Sequence, residues 1–191
     1  MHVTECVFFK RTPIGDHEFV YELWSREFGK IRAFAKEKKN ECRADTGSVI
    51  QANVETKGER NRLVSFKVRK NLSSEKMDYA AAVAFLKTVS ALSSALPEGI
   101  PNRKLFEAYE ASLPYYEKGE CRKASAILLS KLAKTLGTYA LPENASPMLK
   151  RFDTAISSYD VGTLHSIKGI DDGLVNEAFL AAELALARYH F

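Results

Sequence analysis

The chain has 191 residues, 46% hydrophobic, 27% charged and 10% aromatic, with a net charge of +4. These proportions exclude a disordered chain and a fibrous repeat, and the length suits one large or two small domains. The longest apolar run, Tyr79 to Leu86, is too short to cross a bilayer. The opening Met1-His2-Val3-Thr4-Glu5 also lacks the basic-then-apolar form of a signal peptide, so the expected location is cytoplasmic, with no membrane partner.

From Thr4 to Lys70 the pattern is of short strands joined by turns. Val7 to Arg11 reads as a first strand, followed by turn chemistry at Pro13-Ile14-Gly15-Asp16. Glu18 to Trp24 is a second strand, with Phe19, Tyr21 and Leu23 on one side and Glu18, Glu22 and Trp24 on the other. Arg26-Glu27-Phe28-Gly29 reverses the chain, Gly29 supplying a positive φ. Lys30 to Lys36 then alternates: Ile31, Ala33 and Ala35 face a core, while Lys30, Arg32, Phe34 and Lys36 face out. After a polar connection, Glu37 to Gly47, a second hairpin pairs Ser48–Thr56 with Arg62–Arg69 around Gly58. Five strands in about seventy residues suit a small antiparallel barrel, for which the oligonucleotide-binding (OB) barrel is the best-known architecture. A small open sheet would give the same pattern.

Beyond Asn71 the periodicity becomes helical. Ser73-Ser74 can cap a helix bearing Phe85, Val89, Leu92 and Leu96 on one side. A second helix, Asn102 to Leu113, is expected to stop at Pro114. A third follows Gly119, with Ala124, Ile127, Leu128, Leu132 and Leu136 inward and Lys131 on its rim. Ser146-Pro147 opens a fourth, and a last helix runs from about Asp172 to Tyr189. The expected fold is therefore α+β: a barrel over residues 1–72 and an all-α bundle of roughly five helices over residues 73–191.

Chemistry-bearing motifs are scarce. The three cysteines, Cys6, Cys42 and Cys121, are scattered and read as reduced thiols in packed positions. The four histidines are isolated, no Gly-x-Gly loop is present, and no serine sits in a nucleophile elbow. Asp171-Asp172 reads as a helix cap rather than a cation site. No enzyme, metal site or cofactor is expected.

Charge is distributed unevenly. Residues 1–76 hold 16 Lys and Arg against 11 Asp and Glu, whereas residues 77–191 hold 12 against 13. Lys30, Arg32 and Lys36 share a strand face with Phe34, and the next connection adds Lys38, Lys39 and Arg43. Spaced cations can follow a phosphate backbone while a ring among them stacks on a base. The alternative is a solvated face whose lysines keep a sheet soluble.

The stretch Ser25-Arg26-Glu27-Phe28-Gly29-Lys30-Ile31-Arg32-Ala33-Phe34-Ala35-Lys36 resembles the second-to-third-strand segment of the bacterial recombination mediator RecO family. There, Thr/Ser-Arg-Glu-x-Gly-Lys leads into a strand ending in Ala-Lys and a basic loop. The strand Val7 to Arg11 with its turn at Gly15-Asp16 is similar to the family's opening, and the order of barrel then helices agrees. The chain departs from the family at Glu37-Lys38-Lys39-Asn40, where a glycine and arginines are usual, and in lacking the zinc-binding cysteine cluster of many relatives.

The resemblance implies an amino-terminal OB fold and a non-enzymatic role in RecF-pathway DNA repair and recombination, in the cytoplasm at the nucleoid. It implies binding of single- and double-stranded DNA, strand annealing, and partnership with RecR and the tail of the single-strand-binding protein, to help load RecA. Lys30 and Lys36 are carried over from matched motif positions. Arg32, Phe34, Lys38, Lys39 and Arg43 join them on charge and strand geometry, with Arg60, Arg62, Lys67 and Arg69 as secondary candidates. For the tail contact, Lys123, Lys131 and Lys134, beside apolar helix faces, are the candidates. Two other expectations stand beside this one: an OB-type interaction adaptor without DNA binding, and an OB-type RNA-binding factor.

Overall fold

The computed structural model describes residues 1–36, 44–58, 60–72 and 77–187. The chain divides into two compact units, Met1–Ser73 with Leu96–Arg103, and Ser74–Ala95 with Lys104–Phe191.

The first unit holds five strands: β1 (His2–Gly15), β2 (Glu18–Ser25), β3 (Gly29–Lys36), β4 (Val49–Lys57) and β5 (Arg60–Lys70). They close into a barrel in the order β1-β2-β3-β5-β4, with β4 returning to β1. Four seams are antiparallel, but β3 and β5 run parallel, through Ala33–Asn61 and Phe34–Arg62. The expectation of an all-antiparallel barrel is thus corrected, and the reason is parity. Directions that alternate at every step cannot return to their start after five strands, so one neighbouring pair must agree.

Inside the barrel lie Cys6, Phe8, Tyr21, Leu23, Ile31, Ala33, Ile50, Ala52, Val54 and Leu63. Burial pushes the Cys6 thiol up to about 12, so it stays protonated and unreactive. The alternation along β3 is as the sequence indicates, with Ile31 and Ala33 buried and Arg32, Phe34 and Lys36 exposed. Strand β1 extends well past Val7–Arg11 in both directions, and a register shift between Pro13 and Gly15 lets it pass the proline. Trp24, although on the outward side of β2, is fully buried with its ring stacked on Phe9 at 6.4 Å.

The segment Leu96–Arg103 belongs to the barrel unit because it docks on the start of β3. Gly99 N donates to the Lys30 carbonyl at 3.0 Å, and Glu98 bridges Lys30 in parallel sense. Gly29 makes this approach possible. Its φ is 71°, and a Cβ there would lie 2.3 Å from the Ile100 carbonyl oxygen.

The second unit contains α1 (Tyr79–Ala95), α2 (Arg103–Glu117), α3 (Cys121–Thr135), α4 (Pro147–Ser158), α5 (Val161–Ser166) and α6 (Asp172–Ala187). None of these helices is long and apolar enough to cross a membrane. Helix α3 is buried almost all round, from Ala124 to Ala133, which makes it the central helix. The cap of α1 is Asp78, whose carboxylate accepts from Ala81 N at 2.8 Å; Ser73-Ser74 lie outside the described residues. Helix α2 runs through Pro114 rather than stopping there. The burial of Leu113 and Tyr116 offsets the lost rung, and the Ser112 hydroxyl donates to the Tyr109 carbonyl. Asp171 caps α6 through Leu174 N, as expected. The short α5 has too few residues for a periodic signal; Asp160 starts it by accepting from Thr163 N.

His165 ends α5 with its side chain 2% exposed, stacked on Tyr115 at 3.5 Å and with Nδ1 3.2 Å from the Glu120 carboxylate. Burial, which outweighs the hydrogen bond to Glu120, holds its pKa below the ordinary 6.5.

Two predictions follow from these packings. Gly29→Ala should lower stability by at least ~2 kcal/mol in urea unfolding. Gly58→Ala, at φ 59° but with nothing within 4 Å, should cost only ~1 kcal/mol. Equal losses would contradict the docked strap. A folded-state pKa lowered below 6.5 means that unfolding takes up a proton, so stability present above pH 6.5 is lost as the pH falls below it. The Tm of the parent should therefore drop between pH 7.5 and pH 5.5 by more than that of His165→Gln.

Candidate nucleic-acid interface

The segment shared with the RecO pattern works first as a clasp. The buried Ser25 hydroxyl accepts from Glu27 N at 3.2 Å and Phe28 N at 3.1 Å, and bonds the Thr4 hydroxyl at 2.7 Å. Thr4 also bonds the Glu27 carboxylate, and Arg26 pairs with Glu5 at 3.2 Å. Glycine then turns the chain into β3 beneath the Leu96–Arg103 strap. Serine, arginine, glutamate and glycine in this run therefore fix a hairpin to β1 and leave the following strand to present its outward side chains.

Those side chains form a continuous row around the barrel. Thr12, Val20, Phe34, Arg62 and Glu55 are successive register partners across β1, β2, β3, β5 and β4. Phe34, 40% exposed, is the aromatic surface of this row. Arg32 and Lys36 flank it two residues away on β3, and Arg60 stands two residues from Arg62 on β5. The barrel thus brings Arg32, Phe34, Lys36, Arg60 and Arg62 to one outer face. Lys30 lies on the same side of β3, half-buried opposite Trp24. Lys67 and Arg69 are exposed further along β5, with Lys67 opposite Gln51 of β4. Lys38, Lys39 and Arg43 lie outside the described residues.

Charge pairing divides the candidates in two. Lys36 meets Glu18 at 2.9 Å, and Arg32 meets Glu98 at 3.2 Å and Glu22 at 4.0 Å. Glu22 also holds Lys10 at 3.2 Å. By contrast, Arg60, Arg62, Lys67 and Arg69 form no ion pair among the described residues; Glu55, opposite Arg62, pairs with Lys57 at 3.7 Å. Among the described residues, the side chains ranked second by sequence are those without a carboxylate partner. What sequence reasoning missed is the carboxylate ladder: Glu18 and Glu22 alternate on β2 at the spacing of Lys36 and Arg32 on β3, but only the register shows that they are opposite. Lys70, exposed at the end of β5, was also overlooked.

The three lysines proposed for the tail contact are otherwise engaged. Each reaches from α3 to backbone carbonyls of another helix: Lys123 to His165 at 2.7 Å and Lys131 to Ile156 and Tyr159 at 2.8 Å, near the ends of α5 and α4, and Lys134 to Asp153 in the middle of α4 at 2.8 Å, where it also meets the Asp153 carboxylate at 2.6 Å. Ammonium groups suit the helix ends that Lys123 and Lys131 reach, because free carbonyls and the helix dipole both favour positive charge. Desolvation lowers the Lys131 pKa from its ordinary value. The Lys131 ammonium is thus bound to carbonyls rather than merely solvated on a rim.

No protein-family model matches the chain, and no curated protein matches it.

Because the Ser25 hydroxyl serves two backbone donors in a fully buried position, Ser25→Ala should cost ~1–3 kcal/mol in chemical denaturation. Retained stability would remove the clasp from the account.

Proposed function

We propose that the barrel is of the OB type and binds single-stranded DNA, making the protein a non-enzymatic recombination mediator of the RecO kind. The strand order and the single parallel seam support the OB assignment, since that fold is a five-stranded barrel whose second and third strands carry the ligand. The observation that carries the binding reading is the exposed Phe34 ring set in a row beside Arg62, with Arg32 and Lys36 flanking it. A ring there gives a base a stacking partner, and the cations accompany the backbone. The RecO-like segment supports the family role, for it supplies the clasp and the strand that present this row. On this reading the protein acts in RecF-pathway repair in the cytoplasm, at the nucleoid. Its partners are RecR and the tail of the single-strand-binding protein, and through them RecA. No contact for that tail is assigned, because Lys123 and Lys131 already bind helix-end carbonyls and Lys134 is held by Asp153.

The ion pairs of Lys10, Arg32 and Lys36 favour a second reading, an interaction adaptor whose barrel no longer holds DNA. An RNA-binding factor would differ from both by preferring RNA of the same sequence through its 2′-hydroxyl groups.

Titration of a labelled single strand across salt concentration separates these readings. Four to five neutralised phosphates give a log–log slope near −3 to −4. Phe34→Ala should weaken binding at least about five-fold with little change in stability. Absence of binding at low salt would favour the adaptor.

A further inference from the structure

Lys131 and Thr135 are one helical turn apart on α3 with Lys134 beside them, so the three share one side of the helix. Together with Lys104 of α2 and Ser157 of α4 they line a cavity of about 310 Å³. We propose that this cavity holds the dianionic phosphate group of a small molecule. The site lies wholly in the helical unit and does not depend on the nucleic-acid reading of the barrel.

The donors on this wall decide the sign of the ligand. The end of α4 turns carbonyls toward Lys131, which donates to Ile156 and Tyr159 and keeps one N–H in reserve. Lys134 is fully engaged by the Asp153 carboxylate, the Asp153 carbonyl and the Ser157 hydroxyl. A carboxylate therefore balances Lys134, whereas Lys131 meets carbonyl dipoles alone. Asp160 acts on Lys131 from a distance, but it is exposed to solvent and accepts from the Thr163 amide and hydroxyl. Lys104 is exposed and has no ion pair among the described residues. It also stands in the first turn of α2, which contains no acidic residue, although the helix dipole favours negative charge there.

The cavity thus offers the three N–H groups of Lys104, one of Lys131 and the hydroxyl of Thr135, which has no partner among the described residues. A chloride ion would leave most of these idle. A phosphate carries two charges and several strong acceptor oxygens, and so uses them together. Burial lowers the Lys131 pKa, and the nearby Lys134 adds to the effect against Asp160; an anion beside them opposes both. The volume lies at the small end of ligand cavities, roughly 300–1,000 Å³, which suits a phosphorylated small molecule better than a polymer.

The test titrates inorganic phosphate and pyrophosphate into the full ¹⁵N-labelled chain at pH 7.5 and constant ionic strength, with chloride as reference, and follows the amide shifts by NMR. Saturable shifts should concentrate at Leu105, Thr135 and Ser157 and be absent with chloride. Lys104→Gln should weaken phosphate binding at least about five-fold. Thr135→Val, which leaves the charge unchanged, should weaken it about two-fold. Lys168→Gln removes the same charge from an exposed residue outside the cavity and should change binding by less than about 1.5-fold. Shifts that fail to saturate, shifts reproduced by chloride, or equal losses in Lys104→Gln and Lys168→Gln would overturn the proposal. So would a 5′-phosphorylated oligo(dT) that reaches the same amides at least about ten-fold more tightly than pyrophosphate, for that would place a polymer in the cavity.

Discussion

A ring of five strands has to contain one parallel seam, and the rest of the barrel face is organised around where that seam falls. It falls between β3 and β5, where the register sets Arg62 beside Phe34. An antiparallel return at this point would need a sixth strand and would separate the ring from the arginine. The polar connection after β3 and the second hairpin therefore do more than complete a barrel. They carry an independent set of cations round to the one exposed aromatic residue of β3.

Local order reinforces that placement. The β2–β3 turn is held by the Ser25 hydroxyl, the Thr4–Glu27 contact and the left-handed Gly29, and the Leu96–Arg103 strap lies against the glycine where no side chain fits. A base-stacking residue needs a fixed ring, and rigid strands give one more readily than loops do. In the helical unit the same economy appears in α3. Its buried length organises the other helices; its Lys123 and Lys131 bind carbonyls at the ends of α5 and α4, and Lys134 pairs with Asp153.

Much of this was legible in the residues. Period-two alternation located Ile31 and Ala33 inside and Phe34 outside, and Ser146-Pro147 marked the start of α4, where Ser146 Oγ accepts from Leu149 N. The parallel seam was not read, although counting five strands in a closed ring was enough to require it. Helix α2 was cut at Pro114 because propensity is local, whereas the burial of Tyr116 that carries the helix onward is tertiary. The largest change concerns charge. Lys36 and Arg32 looked like the strongest phosphate ligands because sequence lists cations without their partners. Only the register places Glu18 and Glu22 directly across from them, while Arg60, Arg62, Lys67 and Arg69 have no ion pair among the described residues.

The central claim is that a nucleotide base rests on Phe34 while its phosphates meet β5. Photocrosslinking tests this most directly: a single-stranded oligonucleotide carrying 5-iodouracil is irradiated with the intact protein, and the adducts are mapped by mass spectrometry. The account predicts adducts at Phe34 and on flanking residues of β3 and β5, lost when unlabelled single strand competes. Adducts confined to the helical unit, or spread over the barrel without enrichment at Phe34, would contradict it.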